Sequence, residues 1–273
     1  MFKFDWYSAT VREERVAGPR GNVLVEELGQ ELAARAEEES PRHGYGSGIV
    51  LRRRDGDTAA RIMHGGKQPW PLVVGSGMHS PMVARALRSR FPRHLVTRAD
   101  SAADYDAPGA WDRLHRTALD FADERGLAVR LAGDWHRCEE GRTVYVGSRS
   151  SPVFLRLYEK GLEQRGKGLA DASPDWVRVE LVVRPLREAR ATAATLTAVE
   201  MWGFSRWAGD LLTRLEGLEV PFHAMKQHRE ADHGQAIRNL VQQYGATLGR
   251  EFVRLGSWEA VGRALGARVE NSL

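Results

Sequence analysis

Three short segments of the 273-residue chain carry acidic, basic and phenolic side chains at alternate positions. Side chains alternate between the two faces of a strand, so residues two apart project together, about 6.6 Å from one another. Each segment has the pattern of a strand with one apolar face, toward a core, and one polar face. The polar faces carry Arg98, Asp100 and Asp104 in the first segment, Arg156, Tyr158 and Lys160 in the second, and Arg178 and Glu180 in the third.

If the three strands are neighbours, these side chains form one site. Converging carboxylates bind Mg²⁺ or Mn²⁺, which prefer oxygen ligands, and such an ion stabilises the charge that develops during phosphodiester cleavage. A tyrosine hydroxyl is a covalent nucleophile, although its unperturbed pKa of about 10 keeps it protonated at neutral pH. A lysine or the metal would stabilise the developing phenolate, and arginines would hold phosphate oxygens. The combination predicts transesterification of a nucleic-acid backbone through a phosphotyrosine.

Simpler interpretations fit the same residues. A tyrosine on a half-exposed strand is commonly a packing residue. Asp100 and Glu180 could pair with Arg98 and Arg178, or with arginines across the sheet. Lys160 resists the bias of the chain toward arginine, since only five of the 40 basic residues are lysines. A compact ammonium is not interchangeable with a guanidinium beside a nucleophile.

Strand and helix patterns alternate up to Pro185, and only helical patterns follow. The polar, glycine-containing stretch 161–174 predicts a loop. We predict an α+β domain over residues 1–185 and an all-helical region over residues 186–273. The predicted strands are 4–11, 45–54, 59–64, 71–77, 95–104, 129–135, 143–148, 154–160 and 176–183, and the predicted helices are 23–38, 80–91, 111–125, 186–215, 235–244, 247–255 and 258–269.

Composition narrows the class of protein. With 42% apolar and 28% charged residues, the chain has the composition of a soluble globular protein. The single cysteine, Cys138, excludes an internal disulfide and fits a reducing compartment. No apolar run is long enough to span a membrane, and the first ten residues lack the apolar core of a secretory signal. We therefore expect a cytoplasmic protein with no membrane partner.

The net charge of +4 hides an uneven distribution. Residues 41–100 hold eleven basic and three acidic residues, a local net charge of +8. Such a block is typical of a surface that binds a polyanion, although a solvated arginine-rich face fits equally well. We predict a DNA-backbone contact here, above all over residues 75–98. The predicted contacts are Arg52, Arg53, Arg54, Arg85, Arg88 and Arg98.

Four segments together resemble the Rep_trans replication initiation factors, which serve rolling-circle plasmids and filamentous phages and have relatives in integrative conjugative elements. The resemblance covers residues 4 to about 190. The segments are FDWYSAT at 4–10, VTRADSAAD at 96–104, YVGSRSSPVFLRLYEKG at 145–161 and WVRVEL at 176–181.

This resemblance implies a mainly antiparallel central sheet with flanking helices, related to the HUH endonucleases but with an altered strand order and without their paired-histidine metal motif. It implies that Tyr158 attacks origin DNA, single-stranded or extruded as a hairpin, becomes linked to the 5′ phosphate and frees a 3′ hydroxyl, with Lys160 assisting. The partners it implies are origin DNA, a host helicase and a polymerase, and a homodimer is among the expected assemblies. The implied Mg²⁺ or Mn²⁺ ligands are Asp100, Glu180 and Asp104, and the implied phosphate contacts are Arg149, Arg156 and Arg178.

Several alternatives stay open. A conjugative relaxase would use the same chemistry, and a non-catalytic DNA-binding control protein could keep the same fold. His136 could ligate a metal or lie on the surface, and Gly75-Ser76-Gly77 could cradle a phosphate or form a turn. Trp6 and Tyr7 could stack a base or pack in the core. Residues 245–265 fit a helix-turn-helix or a plain helical hairpin.

Overall fold

The computed structural model describes residues 1–225 and 233–270 of the chain. Its centre is a ten-stranded sheet in the order β2-β3-β4-β5-β1-β6-β10-β9-β8-β7, and every neighbouring pair is antiparallel. The strands are β1 (Lys3–Val11), β2 (Ala34–Glu39), β3 (Ser47–Arg53), β4 (Thr58–His64), β5 (Leu72–Ser76), β6 (His94–Asp106), β7 (Val129–Gly133), β8 (Arg142–Val146), β9 (Val153–Glu159) and β10 (Trp176–Val183).

Helices flank the sheet and follow it, so the predicted α+β class with an antiparallel sheet and C-terminal helices is confirmed. Within the described ranges, no helix is long and apolar enough to cross a membrane. The helices are α1 (Gly21–Glu31), α2 (Ser80–Arg90), α3 (Ala110–Glu124), α4 (Lys160–Gly166), α5 (Ala189–Thr195), α6 (Arg206–Glu216), α7 (His233–Leu255) and α8 (Trp258–Glu270), with short 3-10 segments at Glu14–Val16, Gly18–Arg20, Gly77–His79 and Glu200–Phe204.

The helix predicted at 23–38 is wrong beyond Glu31. Ala33 has a φ of 49°, which reverses the chain, and the acidic stretch that follows forms the edge strand β2. Its acids pair with arginines of the next strands, Glu37 with Arg52 and Glu39 with Arg61. These cross-strand ion pairs favour a strand for residues that have helical propensity on their own.

Three further elements differ from the prediction. Residues 160–166 form helix α4 where a loop was predicted. Gly161 permits it, because a Cβ at that position would lie 1.6 Å from the Ser173 carbonyl oxygen. The helix predicted over 186–215 is divided into α5, a 3-10 segment and α6, whereas the two helices predicted at 235–244 and 247–255 are one helix, α7.

The hydrophobic core lies on one face of the sheet. Tyr7, Leu114 and Trp202 are among its buried members, so β1, α3 and the segment after residue 185 contribute to one cluster. Helix α2 lies on this face as well, since Val83 packs against Gly75, the cross-strand partner of Tyr7. We call the opposite face, which carries the predicted site residues of β6, β9 and β10, the polar face.

The unit that contains the sheet extends to Lys226, past the boundary predicted at residue 185. The reason is that residues after 185 pack on the sheet: Trp202 is fully buried, and its Nε1 donates a hydrogen bond of 3.1 Å to Ser101 Oγ. The second unit contains α7 and α8, joined at Gly256, with Phe252 and Trp258 in ring contact at 4.8 Å. Residues 226–232 and 271–273 of the predicted helical region lie outside the described residues, and the functional division between the two regions stays a prediction.

Replacing Trp202 by alanine should lower the free energy of unfolding by about 3–5 kcal/mol, because a fully buried indole and its hydrogen bond are lost. Urea unfolding followed by circular dichroism measures this change. Phe222→Ala is the matched control: Phe222 is 51% exposed in the same unit, and its loss should cost less than about 1 kcal/mol. Equal effects of the two substitutions would contradict the packing described.

Candidate active site

The register of three central strands brings the predicted residues together on the polar face. In β10 and β6, Arg178 is paired with Asp104 and Glu180 with Ala102. In β10 and β9, Arg178 is paired with Tyr158 and Glu180 with Arg156. Strands β6, β10 and β9 are therefore consecutive, as the prediction of one site required.

Tyr158 lies at the centre of this group and is only 5% exposed. Its hydroxyl lies 3.5 Å from Glu180 Oε2, to which it donates, and 3.5 Å from Arg156 Nη2, from which it accepts. The Arg156 guanidinium also covers the ring at 4.5 Å from the centroid. Burial, and then the charge of Glu180, raise the pKa of Tyr158 above its ordinary value, so the phenol is protonated at neutral pH.

Asp100 and Glu180 are both buried, at 2% and 1% exposure, on neighbouring strands. Each is paired with one arginine, as the simpler interpretation of the sequence allowed. Arg98 donates two hydrogen bonds to Asp100, at 2.8 and 2.5 Å, and Arg156 Nη2 lies 2.9 and 2.8 Å from the two oxygens of Glu180. Burial raises the pKa of Asp100 to about 7 although Arg98 opposes it, and the charge of Glu180 adds to the rise.

Asp104 has a different set of partners from these two acids. Its oxygens accept hydrogen bonds from Arg178 Nε at 2.6 Å, Arg178 Nη2 at 2.8 Å and Trp176 Nε1 at 2.9 Å, and Lys3 Nζ lies 2.9 Å away. Burial would raise the pKa of Asp104, but these hydrogen bonds outweigh it and hold the pKa below its usual value. The structure thus gives Asp104 the role of an ion-pair partner, not that of the predicted metal ligand.

Arg178 completes a buried clamp. Its third donor, Nη1, binds Asp5 Oδ1 at 2.6 Å, and Asp5 lies where the register of β1 against β6 shifts. Nε and both terminal nitrogens of this 5%-exposed side chain are therefore paired with carboxylates. A saturated, buried guanidinium positions strands, so the predicted phosphate contact of Arg178 has no support in this geometry.

Lys160 is close to Tyr158 but belongs to a different element from the one predicted. It is the first residue of α4, and its Nζ pairs with Glu163 at 2.6 Å. The same ammonium lies 5.4 Å from the centroid of the Tyr158 ring. Lys160 therefore faces the ring, where a cation stabilises electron density, and no hydrogen bond joins it to the hydroxyl.

Of the predicted phosphate contacts, Arg156, Arg98 and Arg149 lie on the polar face or at its end. Arg98 stacks on the Trp6 ring at 4.9 Å, and Arg149 is exposed and stacks on Tyr145 at 4.9 Å. Arg149 has no ion pair among the residues the structure describes, so its guanidinium is free to bind an anion.

The predicted contacts of the basic block are divided between other places. Arg52 and Arg53 lie on β3 and pair with Glu37 and Asp55, and Arg54 is exposed in the turn that follows. Strand β3 is six positions from β9, roughly 29 Å at the usual strand spacing. The other two, Arg85 and Arg88, lie on α2, behind the sheet.

On that helix, Arg85 is exposed and Arg88 is bound. Arg88 donates to the carbonyl oxygens of Ala194 at 2.8 Å and Leu196 at 2.5 Å, which holds the segment after residue 185 against the helix. The geometry therefore separates the residues of the basic block from Tyr158, and their contact with DNA stays a prediction.

The remaining alternatives can now be assigned. Tyr7 is a core residue whose hydroxyl lies 2.8 Å from His94 Nε2, whereas Trp6 is half-buried on the polar face as the partner of Asp100. Gly75 is required for close packing against Val83, so steric fit explains it. His136 is exposed in a loop.

Sequence reasoning missed Asp5 and Lys3, and also Thr143 and Tyr145 on β8. Thr143 is the cross-strand partner of Tyr158, and Tyr145 is the partner of Arg156. Their alternate spacing matched the strand pattern, but only the strand order shows which residues they face.

Two of the predicted metal ligands fit a divalent ion. Among the described residues, no group of three His, Cys, Asp or Glu side chains is arranged to hold a metal. Mg²⁺ is often bound through one or two carboxylates together with substrate phosphates and water, and the buried pair Asp100 and Glu180 fits that pattern. Their present counter-charges are Arg98 and Arg156, each more than 30% exposed and able to turn toward a bound anion.

Comparison with known proteins agrees with the resemblance. Residues 96–216 match the model of the Rep_trans family, described as a replication initiation factor. The matched range contains Asp100, Tyr158 and Glu180, but not the opening strand. No curated protein matches the chain.

The fold is similar to a solved structure of a rolling-circle replication initiator protein from Geobacillus stearothermophilus. The TM-score is 0.53 at 19% sequence identity, over 84% of this chain and 90% of that chain. The two chains therefore share a fold, and the predicted resemblance to replication initiation factors is confirmed over residues 96–216.

Replacing Arg178 by methionine should lower the free energy of unfolding by about 3–5 kcal/mol at pH 7, because two carboxylates lose their buried counter-charge. The paired Asp104 has a lowered pKa, so its contribution is complete above the ordinary aspartate value of about 4 and is lost as the pH falls through the lower folded-state pKa. The difference between wild type and variant should therefore shrink below about pH 4.

Urea unfolding at a series of pH values measures both effects. Arg149→Met, at an exposed position, should change stability by less than about 0.5 kcal/mol. A difference that is small at pH 7, or that grows in acid, would contradict the clamp.

Proposed function

We propose that the chain is a rolling-circle replication initiator that nicks and rejoins origin DNA with Tyr158 as the nucleophile. The observation that carries this proposal is the position of the Tyr158 hydroxyl, within 3.5 Å of both Glu180 and Arg156 on a face that also holds Asp100. The family match over residues 96–216 and the shared fold support the same activity.

In the proposed step, the phenolic oxygen of Tyr158 bonds to the phosphorus of one phosphodiester, and the bond from that phosphorus to the 3′ oxygen breaks. The proton leaves the phenol, and one is gained by the 3′ oxygen, so a 3′ hydroxyl and a 5′ phosphotyrosine result. Attack by a 3′ hydroxyl on the phosphotyrosine reverses the step and rejoins the strand. No external energy source is needed, because one phosphodiester replaces another.

The neighbouring side chains have separate roles in this step. Glu180 Oε2 accepts the phenolic hydrogen and orients the hydroxyl, at a distance that tightens readily when substrate binds. Arg156 lies beside the same oxygen and is suited to hold an oxygen of the attacked phosphate. Lys160 stabilises negative charge on the ring from its position 5.4 Å from the centroid.

We propose that Asp100 and Glu180 together bind Mg²⁺ or Mn²⁺. A bound divalent ion would supply Lewis-acid stabilisation of the phosphate charge. Binding requires Arg98 and Arg156 to give up part of their contact with the acids, and an arriving phosphate offers these guanidiniums a new partner. Asp104 is left out of this proposal because Arg178, Lys3 and Trp176 already bind it.

One observation favours a non-catalytic DNA-binding protein as a second candidate. Both acids beside the tyrosine are paired with arginine, which is also how a purely structural sheet would satisfy them. A conjugative relaxase would share the proposed chemistry and differ in its DNA site. Work in the cytoplasm, and partnership with a helicase, a polymerase or a second copy, follow only if the initiator proposal holds.

Tyr158→Phe should abolish covalent attachment to DNA and change single-strand binding by less than about twofold, because the phenyl ring keeps its packing. The assay incubates the protein with Mn²⁺ and random-sequence single-stranded oligonucleotides, and then resolves protein on a denaturing gel. A label at the 3′ end should remain on the wild-type protein, and a label at the 5′ end should not, since the tyrosine is joined to the 5′ phosphate.

Tyr45→Phe is the control, because the Tyr45 hydroxyl only donates to the Trp70 carbonyl oxygen. It should form adducts as the wild type does. Adducts that persist in Tyr158→Phe would exclude this nucleophile, and wild-type binding without any adduct would favour the non-catalytic candidate.

Asp100→Asn and Glu180→Gln should each reduce adduct formation by at least about 100-fold, since each removes half of the proposed carboxylate pair. Wild-type activity should be lost in EDTA and restored by Mn²⁺ or Mg²⁺. Titration calorimetry with Mn²⁺ gives a readout besides activity: both variants should bind the ion more weakly. Asp104→Asn should leave Mn²⁺ affinity unchanged, and a loss there would place Asp104 among the ligands after all.

A further inference from the structure

A small cavity opens beside Tyr158, between the polar face and the start of α4. Its volume is about 120 Å³. Typical small-molecule sites span about 300–1,000 Å³, so this cavity admits one planar ring system, not a whole nucleotide. Its lining residues are Glu140, Gly141, Arg142, Thr143, Tyr145, Arg156, Tyr158, Glu159 and Glu163.

Three polar groups on this lining lack hydrogen-bond partners. Arg156 Nε is buried without a partner, although Nη2 of the same guanidinium binds Glu180. The hydroxyls of Thr143 and Tyr145 also make no hydrogen bond within the described part of the chain. A buried donor without a partner costs about 1–3 kcal/mol, which a ligand with matching acceptors would recover.

The charges around the cavity favour a neutral occupant. Three carboxylates line it: Glu140 is exposed, Glu159 is bound by Arg142, and Glu163 is bound by Lys160 and Lys167. A phosphate inside would meet these acids. Outside the cavity, Arg149 stacks on Tyr145 without an ion pair among the described residues, and Arg130, the cross-strand partner of Tyr145, is exposed. Anionic groups are therefore favoured at the rim and a neutral ring within.

We propose that this cavity binds the unpaired base of the nucleotide next to the phosphate that Tyr158 attacks, and that Thr143 and Tyr145 determine which base is accepted. The inference rests on the proposed function, since it takes single-stranded DNA as the ligand. Unstacked bases are recognised by aromatic side chains and by hydrogen bonds to their edges. Thr143 and Tyr145 supply hydroxyls that donate or accept, and Arg156 Nε supplies a donor.

The test is a selection from random 20-nucleotide single strands on immobilised full-length protein in EDTA, so that no cleavage occurs, followed by sequencing of the bound strands. Wild-type protein should enrich a motif with roughly a tenfold preference at one position, the size expected when a base fits or misfits a hydrogen-bonding site. Thr143→Val and Tyr145→Phe should each reduce the preference at that position to about twofold and leave the other positions unchanged.

Thr10→Val is the matched control, because Thr10 lies on β1 far from β8 in the strand order. It should keep the wild-type motif, and thermal unfolding verifies that every variant is folded. Identical motifs in wild type and the two cavity variants would overturn the proposal, as would wild-type binding without preference at any position.

The adduct assay with Mn²⁺ separates this inference from the function on which it rests. No adduct together with a preference that depends on Thr143 and Tyr145 would refute nicking and retain the base site. Adducts together with unchanged motifs would retain nicking and refute the base site. No single-strand binding at all would contradict both.

Discussion

The buried guanidinium of Arg178 is the constraint on which the candidate site depends. It joins β10 to β6 through Asp104 and to the irregular part of β1 through Asp5. A buried arginine is tolerated only when its donors are paired, so these three strands have one register in which the charge is satisfied. Tyr158 is the cross-strand partner of Arg178, and a shift of one residue would turn it to the core face. The clamp thus determines where the phenol points.

The charges around the tyrosine are balanced without DNA. Lys3, Arg98, Arg156 and Arg178 are paired with Asp5, Asp100, Asp104 and Glu180. A phosphate that approached this face would add negative charge beside carboxylates that are already buried. A divalent ion on Asp100 and Glu180 would offset that charge and release two guanidiniums. Binding of metal and of phosphate should therefore favour one another.

Strand alternation alone predicted which residues share the polar face, because it is a property of each strand taken separately. It could not predict the ion pairs, since these depend on strand order. Glu180 pairs with Arg156 because β9 and β10 are neighbours, and Asp5 reaches Arg178 because β1 is irregular next to it. Helix α4 was missed because its short sequence is polar and contains glycine, and only its contact with the loop before β10 holds it as a helix.

Charge density along the chain was a poor guide to charge density on the surface, and the reason is geometric. Residues 41–100 run through both faces of the sheet: Arg98 lies on the polar face, whereas Arg85 and Arg88 lie on α2 behind it. Ion pairs neutralise others, as Glu37 does for Arg52. A polyanion responds to cations that are accessible and unpaired. Arg130 and Arg149, beside Tyr145 at the β7–β8 end, meet that condition among the described residues. On these grounds a DNA strand would approach Tyr158 from the β7–β8 end, opposite to the end that the basic block occupies.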